Sequence, residues 1–139
     1  MPVHKRAKEL VAAANREIES LSALDGLALL EREDTLLVDL RDIRERIREG
    51  FVPGSLHAPR GMLEFWVDPE SPYHREVFAT GKRFVFYCAS GWRSALATQA
   101  VQQMGLEPVC HLEDGFSGWV EAGGPVLKTK DGREPKPGS

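Results

Sequence analysis

Cys88 is the residue whose surroundings most directly specify a reaction. It closes an apolar run, Phe84-Val85-Phe86-Tyr87, and is followed at once by Ala89-Ser90-Gly91-Trp92-Arg93-Ser94 and then by a helix-forming stretch from Ala95 to Met104. A tight loop that opens a helix aims backbone N–H groups at one point, where the helix dipole adds partial positive charge and Arg93 adds a full one. Such a cradle takes an anion. It also favours the ionised form of a thiol placed in it: cysteines at helix N-termini or beside cations have pKa values lowered from about 8.5 to roughly 3.5–7.5, and the thiolate is the nucleophile. Gly91 supplies the backbone freedom for the inward turn. Ser94 is expected as the helix N-cap, its hydroxyl satisfying an orphan donor. Ala89, Ser90, Gly91, Trp92, Arg93 and Ser94 are therefore the expected binding residues around a catalytic Cys88. Free cysteine is also a common small core hydrophobe, a reading that suits Cys110, which lies on a second apolar run and would otherwise be placed to resolve an oxidised Cys88.

The elements that position this loop follow from periodicity. Ala7, Leu10, Val11, Ala14 and Ile18 recur at helical spacing and predict an amphipathic N-terminal helix that covers the protein's own fold or docks a partner. Ile18–Leu21 reads as a short strand, and Ser22 caps a helix over Ala23–Glu31. Thr35–Leu40 is a buried strand, Ile43–Glu49 a charged helix closed by Gly50, and the proline-bounded run from Phe51 to Pro59 a turn with a short strand. Residues 60–82 mix aromatic residues with Pro69 and Pro72, an excursion long enough to suggest a function. Phe84–Tyr87 and Glu107–Leu112 are further strands. Continuous apolar strands alternating with helices predict an α/β fold with a largely parallel sheet covered on both faces, whose ligand site lies beyond the carboxyl ends of the strands. Asp39 and Arg41 fall at such an end, where they either rim the pocket or pair as scaffolding. Arg60 and Trp66, in the excursion, either line the mouth or pack.

Bulk properties narrow the function. With 139 residues, 42% of them hydrophobic, the chain suffices for one substantial core. A net charge of −3, from 18 basic against 21 acidic residues, lacks the basic excess of a nucleic-acid binder. No apolar run approaches the roughly 20 residues of a membrane span. Two cysteines and no charged-then-apolar leader predict a reducing, cytoplasmic setting. His4, His57, His74 and His111 show no ligand spacing, so neither metal nor cofactor is expected.

Four segments in order, over Leu36–Val126, resemble the rhodanese family of sulfurtransferases in its single-domain form. Cys88–Ser94 is similar to the active-site loop, in which the cysteine carries a persulfide. Val38-Asp39-Leu40-Arg41 with Glu45 resembles the first signature, and Val52–Pro59 the second. His111–Trp119 with Gly123-Gly124-Pro125 resembles the C-terminal signature. Gly50-Phe51 departs from the usual Gly-His, and Asp114 from a glycine. The resemblance implies a three-layer fold with a five-stranded, mainly parallel sheet, spanning 22–127 between an N-terminal lead-in (1–21) and a flexible tail (128–139). It implies that Cys88 takes sulfane sulfur from an anionic donor such as thiosulfate and passes it to cyanide, a small thiol or a sulfur-acceptor protein, with exposed Trp92 greeting the acceptor. No general base is required, in keeping with a sequence that shows no Ser-His-Asp arrangement near Cys88. One alternative is a cysteine-dependent phosphatase or arsenate reductase. The related dual-specificity phosphatases of the cell-cycle type have five residues between cysteine and arginine, whereas Ala89–Trp92 makes four here. The other alternative is a protein-binding module without catalysis.

Overall fold

The computed structural model describes residues 2–135. Five strands, β1 (Glu19–Leu21), β2 (Thr35–Asp39), β3 (Leu56–His57), β4 (Arg83–Tyr87) and β5 (Val109–Leu112), form one sheet in the order β1-β5-β4-β2-β3. Every adjacent pair is parallel, with Val38 opposite Phe86 and Phe86 opposite His111. All carboxyl ends thus point to one edge, and Cys88 leaves β4 at the middle of it. The uninterrupted apolar character of β2 and β4 has a direct cause: side chains alternate between two faces, and both faces are covered. Phe84 and Phe86 point to one side, with Val38, Leu40, Ala97 and Val101; Val85 and Tyr87 point to the other, with Cys110, Leu112, Phe116 and Trp119.

Six α-helices complete three layers: α1 (Ala7–Glu17), α2 (Ala23–Leu29), α3 (Ile43–Glu49), α4 (Leu63–Val67), α5 (Trp92–Gln103) and α6 (Gly115–Glu121). α5 and α4 lie over the first face, and α1 packs on α5, burying Val11 and Ala14 against Ala95. α2 and α6 cover the second, where Leu27 meets the cluster around Trp119. Ser22 caps α2 by accepting from the Asp25 amide, and α3 opens on a full capping box between Asp42 and Glu45.

Three expectations need correction. α5 begins at Trp92, three residues earlier than Ala95, because Gly91 in the left-handed region serves as the N-cap and leaves Ser94 inside the first turn. α6 is absent from the sequence reading, since Gly115 and Gly118 dilute its helical signal. Its tight setting requires them, as a Cβ on Gly118 would stand 2.5 Å from that of Asp114. The tail is tied down through residue 134. Phe51 and Leu127 exchange two backbone hydrogen bonds of 2.9 Å, Arg46 Nε donates to Gly132 O at 2.8 Å, and the Gly54 amide donates to Glu134 Oε2 at 2.7 Å. Polar and main-chain anchors of this kind leave no apolar period to read. Residues 136–139 of the expected flexible tail lie outside the described residues.

Candidate active site

The loop between β4 and α5 wraps its amides around the cysteine sulfur. The Gly91 N–H donates to Cys88 Sγ at 3.2 Å and the Ser94 N–H at 3.4 Å, with Ser94 Oγ 3.6 Å away. These are donors that the first turn of a helix cannot satisfy internally. The loop's carbonyls are turned outward by α6, whose Phe116 N–H donates to Cys88 O at 2.8 Å and Ser117 N–H to Ala89 O at 3.1 Å. Pinning the carbonyls outside leaves the N–H groups inside. Two glycines make this close approach feasible. Gly91 sits at φ +102°, where a Cβ would collide with Glu113 O; Gly115 sits at φ +61°, where a Cβ would lie 2.6 Å from Cys88 O. Cys88 is 1% exposed, at the floor of the cradle, with hydrogen-bond donors against its sulfur.

Arg93 is at the mouth, held by a bidentate pair with Glu45 at 2.8 and 3.0 Å. Each partner answers to the other: the hydrogen bond from Arg93 holds the Glu45 carboxyl below its ordinary range, and Glu45 raises Arg93. Trp92 is 53% exposed beside it.

The rim reading of Asp39 and Arg41 is overturned, because both are 0% exposed. Arg41 Nε and Nη2 each donate to the Asp39 carboxylate at 2.9 Å, Nη2 also reaches Gly50 O at 2.7 Å, and the guanidinium lies 4.2 Å from the Phe116 ring centroid. Arg46 and the Tyr87 hydroxyl donate to the same carboxylate at 3.0 and 2.9 Å. Burial pushes the Asp39 carboxyl up, but the hydrogen bonds and charge of Arg41, with the charge of Arg46, outweigh it and hold the group below its usual value. The network is a scaffold that braces β2 and β4 beneath the loop. Arg60 pairs with Glu64 at 2.7 Å, and Trp66 stacks under Arg75 in a groove with Leu56 and His57 at the β3 edge. One strand, β2, separates that edge from β4, which leads into Cys88.

A polar chain that the sequence reading lacks runs behind the sulfur. Ser94 Oγ is 2.8 Å from His111 Nδ1, and His111 Nε2 is 3.1 Å from Asn15 Oδ1 and 3.2 Å from Ser20 Oγ. A Ser-His pair therefore does adjoin Cys88. Its members are 17 residues apart and meet only through the β4–β5 register, so no local spacing announces them. Cys110 points to the opposite face of β5, where burial pushes its thiol up to about 12, so it is not placed to resolve Cys88. Among the described residues no cluster of three or more His, Cys, Asp or Glu could hold a metal ion, and no helix is long and apolar enough to cross a membrane.

Comparison with known proteins places this arrangement. The family model described as a rhodanese-like domain matches residues 22–122. A solved structure from Rhodopseudomonas palustris, described as a protein of unknown function and possible tyrosine phosphatase, superposes with a TM-score of 0.89 at 48% identity, covering 91% of this chain and 98% of the other. The polysulfide-sulfur transferase homodimer of Wolinella succinogenes superposes at 0.67 with 31% identity over 88% and 87% of the two chains. The mouse thiosulfate sulfurtransferase/rhodanese-like domain-containing protein 3 is 29% identical over 98 residues, 67% of this chain and 62% of its own. The first-matched curated relatives are longer, and the chain spans 52%, 62% and 43% of their lengths.

Proposed function

The chain belongs to the rhodanese-like domain family, whose sulfurtransferase-named members it resembles, and from that premise we propose that Cys88 carries sulfane sulfur from an anionic donor such as thiosulfate to cyanide or a thiol. The Cys88 thiolate attacks the outer sulfur of the donor. A new S–S bond forms, the old one breaks, and its electron pair leaves with sulfite. In the second half-reaction the acceptor attacks the terminal persulfide sulfur, and Cys88 departs as thiolate. The attacking thiolate and the persulfide are both anions, so the amides of Gly91 and Ser94 stabilise both, and once the thiolate is formed charge moves by one atom without a further proton. Arg93, fixed by Glu45, draws the donor to the mouth.

One observation carries this reading: two main-chain amides converge on Sγ in a ring with only four residues between Cys88 and Arg93. That ring suits one terminal sulfur better than a phosphoryl group. A phosphatase would also need a carboxylic acid over the cradle, whereas Glu45 is engaged by Arg93 and Asp39 by Arg41. The physiological acceptor is a thiol or sulfur-acceptor protein in a reducing cytoplasmic setting, which suits two free cysteines. The test is parallel incubation with thiosulfate plus cyanide and with an aryl phosphate. Thiocyanate forms in the first; phosphate release without thiocyanate would overturn the assignment. A Cys88→Ser protein that kept its sulfur-transfer rate would instead reduce the fold to a binding module.

A further inference from the structure

Cys88 lies at the closed end of its cradle, 1% exposed, so a thiol proton there has little direct access to solvent. A second exit runs through the protein. Ser94 Oγ stands 3.6 Å from Cys88 Sγ and 2.8 Å from His111 Nδ1; His111 Nε2 faces Ser20 and Asn15, both exposed at the far side. We propose that His111 is a positioning residue whose ring tautomer sets the direction of the Ser94 hydroxyl, and through it whether the Cys88 sulfur is held as thiol or as thiolate.

The hydrogen-bond arithmetic permits two complete arrangements. With the ring proton on Nε2, donated to Asn15 Oδ1 or Ser20 Oγ, Nδ1 accepts from the Ser94 hydroxyl, and the Ser94 oxygen turns its lone pairs to Cys88 and accepts from the thiol S–H. With the proton on Nδ1, the ring donates to Ser94 Oγ, and the hydroxyl donates to the thiolate as a third partner beside the two amides; Nε2 then accepts from the Ser20 hydroxyl, and the Asn15 amide turns its NH2 to the ring. Passing from the first to the second moves the thiol proton to Ser94, the serine proton to Nδ1, and the Nε2 proton to solvent by way of Ser20. One proton leaves, the sulfur keeps its electron pair, and the ring stays neutral. Burial alone pushes His111 down to about 4, which favours relay over storage of charge. The charged groups on the surrounding elements are engaged elsewhere or at a distance: Arg93 on α5 by Glu45 of α3, the Glu17 carboxylate on α1 by Gln99, and Glu19 of β1 opposite Cys110.

The importance of this device rests on the sulfurtransferase reading, but its test does not. Alkylation of Cys88 by iodoacetamide reads the thiolate without any sulfur donor. His111→Phe and Ser94→Ala should each slow alkylation at pH 7 about tenfold, the scale of one hydrogen bond to a charged group. His111→Asn, which can keep a bond to Ser94, should recover most of the rate. Ring 15N shifts of His111 should pass from the Nε2–H to the Nδ1–H pattern as Cys88 ionises, and should stay fixed in Cys88→Ala. Wild-type rates in a folded His111→Phe protein, or a ring tautomer indifferent to Cys88, would overturn the proposal. Failure of thiosulfate to load sulfur, with these results intact, would overturn only the assigned reaction.

Discussion

A methyl group at position 91 would have to enter the carbonyl oxygen of Glu113 while its backbone stayed at φ +102°, a conformation that L-residues resist. Gly91→Ala should abolish sulfur transfer and destabilise the fold by about 1–3 kcal/mol, read by urea denaturation. Gly54→Ala, at φ +80° with open space around it, should leave activity unchanged. Asp39 gives a different residue-scale prediction. Its replacement by Asn leaves Arg41 and Arg46 buried without their counter-charge, a loss on the order of 3–5 kcal/mol. Because the folded carboxyl is held below its ordinary value of 3.8, its contribution is fully present above that pH and falls away in stronger acid. Wild type should lose this increment on acidification and Asp39→Asn should not. At this scale the sequence is legible where neighbours in the chain are neighbours in space: Cys88, Gly91 and Arg93 could be read directly. Asp39 and Arg41 could be recognised as a pair but not as a sealed one, since exposure is a property of what packs above.

The Arg93–Glu45 bridge joins α5 to α3 across the mouth of the cradle, and Glu45 also returns a hydrogen bond to the Asp42 amide. Glu45→Gln frees the guanidinium from its bidentate seat while preserving an acceptor for the cap. The expected result is a several-fold higher KM for thiosulfate with kcat nearly unchanged, measured by steady-state kinetics. α3 and β2 were legible because capping residues and an apolar run bound them on both sides. The start of α5 was displaced by a competing signal: Ser94 is an excellent cap by residue type, but the left-handed Gly91 already turns the chain, and the serine hydroxyl goes to the sulfur and His111. α6, which holds the loop carbonyls, hides in a glycine-rich run whose helicity comes from packing around Phe116 and Trp119.

At the scale of the molecule, strand–helix alternation sufficed for the parallel sheet and for the edge at which the site lies. What it could not supply is register, and register is what sets His111 behind Ser94 and brings Asn15 of α1 to the same ring. Keeping that ring neutral has a global consequence. An unfolded histidine binds a proton near 6.5, whereas His111 does so only near 4, so the unfolded state takes up more protons in between and stability falls as pH drops through that interval. Denaturation at pH 7 and pH 5 should show a loss of about 2 kcal/mol in wild type that is missing from His111→Asn. The persulfide on Cys88 remains the claim from which the rest of the chemistry descends. Intact mass after exposure to thiosulfate, beside Cys88→Ser, tests it most directly: one added sulfur atom in the parent protein, discharged by cyanide, is the predicted result, and an unchanged mass in both would contradict it.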